Sequence, residues 1–461
     1  MPDEHPLHPK LLAALEAEDQ AQLTEVLAGA RAADIAESFD LLDDENRSHV
    51  LFALPPHTAA EVVIMLDEAV RGDVVDDLDT ESLTEIVSAL PPDDAADVLG
   101  ELSEEEADEI LDHMVDEQSD KIEELLVYDE NTAGGIMTPD FVAVPVTATV
   151  ADAVEHIRGA DPDEELHEVY IVDADDKVVG TVPLRRLVTS PSATKLSGIL
   201  EPDPVVVSVN DDQEAVVQII RKYDVMEAAV VDADQRLVGR ITHDDLLDVA
   251  EEEAAEDLYR MAGTDAAELE TSSVFRAAYV RLKWLLPCMF GMLLSAFVLY
   301  WSKPNFDLRL FAALVLFVPM IGATGGNSGI QISTIIVRGF ATGELASTKF
   351  LRASAREGRI ALVMAPVCGV LALLAVLMFF PILKSLEPDV ALFADSTRVA
   401  FAVGTAMMAA ILSAALLGIS LPFSFRKIGV DPAIASGPIV TTMNDVISVG
   451  IYMLLAMAIA T

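Results

Sequence analysis

The sequence predicts a multidomain protein: an N-terminal α-solenoid, an α/β pair of duplicated modules, a long acidic connecting helix, and an all-α membrane domain with five transmembrane helices. Three observations predict it. Leucines recur every 12 residues from Leu42 to Leu102, two stretches of the middle third repeat one another, and five hydrophobic runs close the chain. With 461 residues there is room for several domains of roughly 100–200 residues each. Their expected limits are 1–130 for the solenoid, 131–250 for the duplicated pair, 244–275 for the connecting helix and 276–461 for the membrane domain.

Bulk composition looks contradictory, with a mean hydropathy of +0.39 and a formal charge of −48. Dividing the chain resolves it. Residues 271–461 hold 14 Lys and Arg against 8 Asp and Glu, a net of +6; of the chain's 29 basic and 77 acidic residues this leaves 15 and 69 to residues 1–270. A polyanion repels nucleic acid, whose binding rests on Lys and Arg meeting phosphates, so nucleic acid is not an expected partner and cations are. With only 10 Lys in the chain, the same acidity also fits a surface adapted to high salt. Specific clusters, not bulk charge, must therefore carry a metal assignment. Cys288 and Cys368 both fall in hydrophobic runs and suggest neither a disulfide framework nor a zinc site. The polar opening MPDEHPLHPK is no secretory signal, which puts the N-terminal half in the cytoplasm.

Residues 1–30 read as a short helical lead-in. The 12-residue units then begin LDDENRSHVL, LPPHTAAEVV, LDEAVRGDVV, LDTESLTEIV, LPPDDAADVL and LSEEEADEIL. Each places Pro, Asp, Ser or Thr after its leucine, then an acidic first turn and apolar residues at helical spacing. Short helices burying their faces on one another make a solenoid. From Gly135 the chain alternates strand-like and helix-like runs twice. GIMTPD (135–140) returns as GILEPD (198–203), and YIVDADDKVVGTVPLRRL (170–187) as AVVDADQRLVGRITHDDL (229–246), the latter at an offset of 59 residues. Each copy predicts an edge strand, a helix, two strands around an Asp-Gly-type turn, and a closing helix. These repeats resemble a tandem pair of CBS modules, which implies ligand sensing and leaves open an adenine nucleotide as ligand. The second closing helix runs on as DDLLDVAEEEAAEDLYRMAG, residues 244–263, with eight acidic and no basic residues in 244–257. Like charges at this spacing destabilise a helix, so a divalent cation, a basic partner or salt must compensate.

Hydrophobic spans follow at about 284–302, 310–337, 360–381, 398–424 and 432–460. Basic residues cluster before the first span (Arg276, Arg281, Lys283), between the second and third (Arg338, Lys349, Arg352, Arg356, Arg359) and between the fourth and fifth (Arg426, Lys427). The remaining loops are poorer in them, and the one between the third and fourth spans is net acidic, with Glu387, Asp389 and Asp395. Positive-inside bias then puts the N-terminus in the cytoplasm and the C-terminus outside.

Two spans carry chemistry. The second contains FVPMIGATGGNSGIQIS (316–332), whose glycines suit close helix approach and whose Asn327 and Gln331 need partners that lipid lacks. The fifth, DPAIASGPIVTTMNDVISVGIY (431–452), holds Asp445, which a helix running from Pro432 would place roughly 20 Å along its axis. A carboxylate so deep marks an ion or substrate path. Gly437-Pro438 interrupts that span, with Thr441 and Thr442 beyond. Hard oxygen ligands suit Mg2+, Ca2+ or Mn2+, and a sparse site touching the ion through water suits Mg2+, which dehydrates reluctantly. The spans contain no histidine and no HExxH, so no enzyme is expected.

Solenoid, CBS pair, acidic helix and five spans together resemble the MgtE family of magnesium channels over essentially the whole chain, most specifically in GGNSGIQ (325–331) and DPAIASGP…TTMND (431–445). The resemblance implies a homodimer in the cell membrane with a pore on its two-fold axis, lined by the second and fifth spans. Asp445 matches the pore aspartate, and Asn327, Gln331, Gly437, Pro438, Thr441 and Thr442 are the lining candidates. It also implies regulatory Mg2+ held by Glu61, Asp93 and Asp97 of the solenoid. In the second CBS module the matching acids are Asp212, Glu214, Asp224, Asp245 and Asp248, and on the connecting helix Glu253, Glu256 and Asp257. One departure is Gly437, where a relative carries Asn. The expected activity is magnesium uptake that cytoplasmic Mg2+ shuts off. The alternative is a secondary transporter coupling divalent cations to Na+ or H+.

Overall fold

The computed structural model describes residues 7–17, 19–39, 41–160, 166–265, 274–343, 345, 350–386 and 396–460. Lys349, Glu387, Asp389 and Asp395, which entered the topology argument, lie outside the described residues. Two compact units emerge, residues 1–251 and 252–461.

The first unit opens with α1 (His8–Glu16) and α2 (Gln20–Ala28), so the lead-in is two helices. Eight short helices follow: α3 (Ala32–Phe39), α4 (Asp44–Phe52), α5 (Pro56–Ile64), α6 (Glu68–Asp76), α7 (Thr80–Val87), α8 (Pro92–Gly100), α9 (Glu104–Leu111) and α10 (Asp116–Leu126). A helix starts just after each 12-residue leucine, as its following Pro, Asp or Ser predicts, and the leucine itself ends the preceding helix. Each of Leu42, Leu54, Leu66, Leu78, Leu90 and Leu102 donates its N–H to the carbonyl three residues back, a tight final turn. The residue after it caps the next helix: Asp43 accepts from Asn46, Asp79 from Ser82, and Ser103 forms a capping box with Glu106. Helices α3, α5, α7 and α9 pack in succession, and α4 packs on α6.

The duplicated half forms two sheets. In the first, β1 (Ala143–Pro145) lies at the edge, parallel to β2 (Glu168–Val172), followed by antiparallel β3 (Val178–Pro183) and β4 (Glu201–Pro202); in the second, β5 (Val206–Ser208) is parallel to β6 (Ala228–Val231), which pairs with β7 (Leu237–Ile241). Helices α11 (Val150–Gly159) and α13 (Gln213–Tyr223) connect the first two strands of each copy, and α12 (Leu184–Thr189) and α14 (His243–Ala262) close them. The hairpin turns hold no glycine. Asp173 accepts the N–H groups of Asp175 and Lys177, Asp232 those of Asp234 and Arg236, and the left-handed positions go to Asp176 and Gln235. A buried ion pair, Arg240 to Glu227 at 2.8 Å, sits among the strands, and Arg240 Nε donates to the Asp140 carbonyl.

The second unit consists of the end of α14 and then α15 (Val274–Ser302), α16 (Leu308–Val315), α17 (Val318–Ala341), α18 (Phe350–Leu386), α19 (Ser396–Lys427), a 3-10 turn at Pro432–Ala435, and α20 (Pro438–Ala460). Among the described residues, five helical segments are long and apolar enough to cross a membrane. Helix α19 is the hub, buried by α17, α18 and α20, while α15 packs on α20. The second span breaks at Leu316–Phe317, ahead of its glycines, and GGNSGIQ is continuous helix. One expectation needs correction. In the fifth, Pro432–Ala435 is a separate 3-10 turn, so Asp445 stands seven residues into α20, about 10 Å along it. A distance counted from Pro432 holds only for one unbroken helix.

Candidate functional site

Glycines on α17 decide how α20 approaches. Gly322, Gly325, Gly326 and Gly329 recur at helical spacing, and each meets a side chain of α20. A methyl group built on Gly322 would lie 2.9 Å from Asp445 Oδ1; on Gly325, 2.6 Å from Asn444 Nδ2; on Gly326, 3.0 Å from Thr441 Cγ2; on Gly329, 2.6 Å from Val440 Cγ1. Helices at such distances are in near-backbone contact. On the far side, a methyl on Gly418 of α19 would lie 2.7 Å from the Gly329 carbonyl oxygen. Asp445 is thus seated, half-buried, on the backbone of α17. Among the described residues, no three His, Cys, Asp or Glu side chains gather closely enough to hold a metal ion. A single carboxylate suits a hydrated ion rather than a stripped one.

The other lining candidates separate into two groups. Asn327 and Gln331, four residues apart on α17, are exposed, as is Arg338 further along. They share one face of the helix with the exposed Ile335, a face that the rest of the described chain leaves uncovered. Thr441 and Thr442 are half-buried: Thr441 donates its hydroxyl to the Gly437 carbonyl at 2.8 Å, and Thr442 packs against Gly291 of α15. Gly437 and Pro438 form the joint ahead of α20. Gly437 takes φ +56°, and a methyl group there would collide with the carbonyl oxygen of Met261 at the end of α14; Gly263, at φ +82°, lies under the Pro438 ring. Both conformations favour glycine. Beside the joint, Arg260 pairs with Glu256 on its own helix and with Asp431 at 2.5 Å. Ser333 and Ser436, both fully buried, share a hydrogen bond at 3.0 Å that ties the joint to α17.

In the first unit, Asp93 and Asp94 occupy the first turn of α8 and Asp97 the next, close to Asp245 in the first turn of α14. Burial, then the charges of Asp245 and Asp94, push the Asp93 carboxyl up to about 7. Burial and the neighbouring aspartates also push Asp94 and Asp97 up to about 7, against the opposing pull of the Arg71 guanidinium. Asp97 stands at the solvent rim of the group. Burial raises Asp245 too, although the Thr242 hydroxyl donates to it. Asp93 Oδ1 is buried with no hydrogen-bond donor among the described residues. Crowded carboxyls of this kind invite either protons or a divalent cation.

The remaining acids occupy other settings. Glu61 pairs with His57 at 3.4 Å, Asp212 caps α13 and accepts from the Glu214 N–H, Glu214 accepts from Gln218, and Asp224 ends α13 in the left-handed region. Asp248 is largely exposed, and partial burial, then the charges of Asp244 and Glu251, raise its carboxyl. Glu253, Glu256 and Asp257 lie on the last turns of α14. Sequence reasoning missed Asp94, Arg71, Arg260, Asn444 and the buried Glu357 of α18. Only Asn444 and Glu357 carried a signal: one adjoins Asp445 in an apolar run, the other opens one.

Family models match three parts of the chain: the MgtE divalent cation transporter over residues 318–455, the MgtE intracellular N domain over 30–131, and the CBS domain over 133–192 and 196–252. The magnesium transporter MgtE of Thermus thermophilus is 33% identical over 459 residues, 98% of each chain. That of Enterococcus faecalis is 35% identical over 336 residues, covering 72% of this chain and 70% of the relative. A solved structure, the cytosolic domain of the Mg2+ channel MgtE in complex with ATP, is similar at 34% identity and a TM-score of 0.50, covering 52% of this chain and 99% of that one.

Proposed function

The chain belongs to the MgtE family of magnesium transporters, and on that premise we propose that it is a Mg2+-selective channel closed by Mg2+ in the cytoplasm. The observation that carries this is Asp445 seated on Gly322 in a membrane-spanning helix. A single carboxylate cannot replace the water shell of Mg2+, which demands near-octahedral oxygens. Two copies of the chain about a two-fold axis supply two carboxylates to one hydrated ion. The exposed line of Asn327 and Gln331 supports that arrangement, since their amides find no partners in lipid. Gly437, Pro438, Thr441 and Thr442 then shape the cytoplasmic approach to the ion. Basic loops support a cytoplasmic N-terminus and an outside C-terminus.

Closure is assigned to the acidic groups. Without Mg2+, Asp93, Asp97 and Asp245 repel one another; Mg2+ relieves the repulsion and favours the state in which they meet. Glu61, Asp212, Glu214, Asp224 and Asp248, with Glu253, Glu256 and Asp257, are the further regulatory positions. Helix α14 carries Asp245 in its first turn and Met261, seated on Gly437, near its last, which gives the signal a route to α20. The ATP complex of the solved relative supports an adenine nucleotide as ligand of the CBS pair.

The test is Mg2+ flux into liposomes, with and without Mg2+ on the cytoplasmic face. Asp445→Ala is expected to abolish flux while Mg2+ still protects residues 130–275 from protease. Flux retained by that variant, or flux that requires a pH or Na+ gradient, would overturn the channel reading.

A further inference from the structure

We propose that Asn444 is a positioning residue for ion passage: its buried amide fixes the rotation of α20 and so aims the Asp445 carboxylate. The proposal rests on Asp445 being the ion-facing group. Asn444 is fully buried where α17, α19 and α20 meet. Its Oδ1 accepts the hydroxyl of Ser448, one turn on, at 3.2 Å, and at 3.4 Å shares the hydroxyl of Ser413 on α19, which also donates to the Ala410 carbonyl at 2.9 Å. Its Nδ2 lies against Gly325, beside Ala410. Successive helical residues are about 100° apart, so locking the side chain at 444 sets the direction of the one at 445.

Two observations argue against a packing role. Asn444 Nδ2 is buried and meets no acceptor among the described residues, a loss that a leucine of similar size would not incur. The face it meets is smooth: Gly322, Gly325, Gly326 and Gly329 offer α20 no side-chain ridges. With no ridges on α17 to key against, the rotational register of α20 rests on specific contacts such as the hydrogen bonds of Asn444. A polar residue buried in a helix seam specifies register at the expense of stability. Asn444 acts on the ion only through the carboxylate beside it.

The test uses the full-length protein in proteoliposomes, with Mg2+ uptake measured against concentration and with Mn2+ as competitor. Asn444→Leu should assemble with a melting temperature at or above that of the unsubstituted chain. Its uptake should fall about tenfold, as when a supporting partner of an ion ligand is lost, and its preference for Mg2+ over Mn2+ should change. The double variant Ser413→Ala/Ser448→Ala removes both donors with little change in volume, and should shift uptake and preference in the same direction. Unaltered uptake in Asn444→Leu overturns the proposal. So does a loss of uptake with unchanged half-saturation and preference, which packing alone would produce. If Asn444→Leu fails to assemble, the serine pair decides by the same readouts. Asp445→Ala run in parallel separates the premises: uptake persisting there refutes the pore assignment itself.

Discussion

Asp445 Oδ1 and Gly322 are in contact: a β-carbon on the glycine would come within 2.9 Å of the oxygen. Real side chains do not approach so closely, so Gly322→Ala must shift the carboxylate or tilt α20. Mg2+ uptake by that variant should fall about tenfold, the scale on which displaced supports of metal ligands act, with assembly intact. Uptake at the original level would mean that the carboxylate does not depend on this seat.

Gly437→Ala should weaken shut-off by cytoplasmic Mg2+ rather than conduction. The added methyl meets the Met261 carbonyl oxygen, and alanine at φ +56° loses about 1 kcal/mol in any case. Both effects push the end of α14 off the joint. A titration of uptake against cytoplasmic Mg2+ should show a raised half-inhibiting concentration; an unchanged one would detach this contact from gating.

Asp431→Asn removes one of the two carboxylates that hold Arg260. The pair is only partly buried, so its contribution is modest and screened by salt. The shift in Mg2+ inhibition should match Gly437→Ala in direction and be smaller. It should also shrink when uptake is repeated at high ionic strength.

Protons and Mg2+ should compete at α8. In the unfolded chain aspartates ionise near 4, whereas Asp93, Asp94 and Asp97 hold their protons up to about 7 when folded. Between those limits the folded state binds more protons, so stability falls as pH rises from about 4 to about 7 and then levels off. Melting without divalent cations should therefore occur at lower temperature at pH 8 than at pH 5. Mg2+ should raise it at pH 8 and do little at pH 5, because it binds the ionised carboxylates.

Arg71 is a resident cation near Asp94 and Asp97, and it also pairs with Glu101 one turn beyond Asp97. Arg71→Ala leaves the aspartates more strongly repelled and more receptive to Mg2+. The half-inhibiting concentration should move down, opposite to the Gly437 variant; an upward shift would assign Arg71 to packing between α6 and α8.

Much of this architecture is legible in the sequence because its periods are physical. A 12-residue leucine spacing matches one short helix and its turn, a 59-residue offset matches one α/β module, and a membrane span declares itself by length. Pro and Asp after the leucines suggest helix starts; the structure makes the leucines ends, since a final 3-10 turn and a cap use adjacent residues. Asp445 stands out because a charge in an apolar run is costly. Arg260 does not, because Asp431 is 171 residues away in sequence. The seam around Asn444 is equally hidden, since Gly325, Ser413 and Ser448 meet only once three spans are packed. Glycines in the second span announce close approach but not the helices they admit, and the break falls before them rather than among them.

The glycine faces also set the mechanics of the membrane unit. Side chains of α20 already rest on the backbone of α17 at Gly322, Gly325 and Gly329, α19 meets α17 backbone to backbone at Gly418 and Gly329, and α18 meets α19 in the same way through Gly369 and Gly404. Nothing in that block can be squeezed further, and parting it would expose polar backbone to lipid. Compliance is left to the unwound places, Leu316–Phe317 and Ser436–Gly437. On the channel reading proposed above, force arriving at Ser436–Gly437 would work as on a short hinge at the foot of a stiff block, and the opening would follow from the angle of that joint.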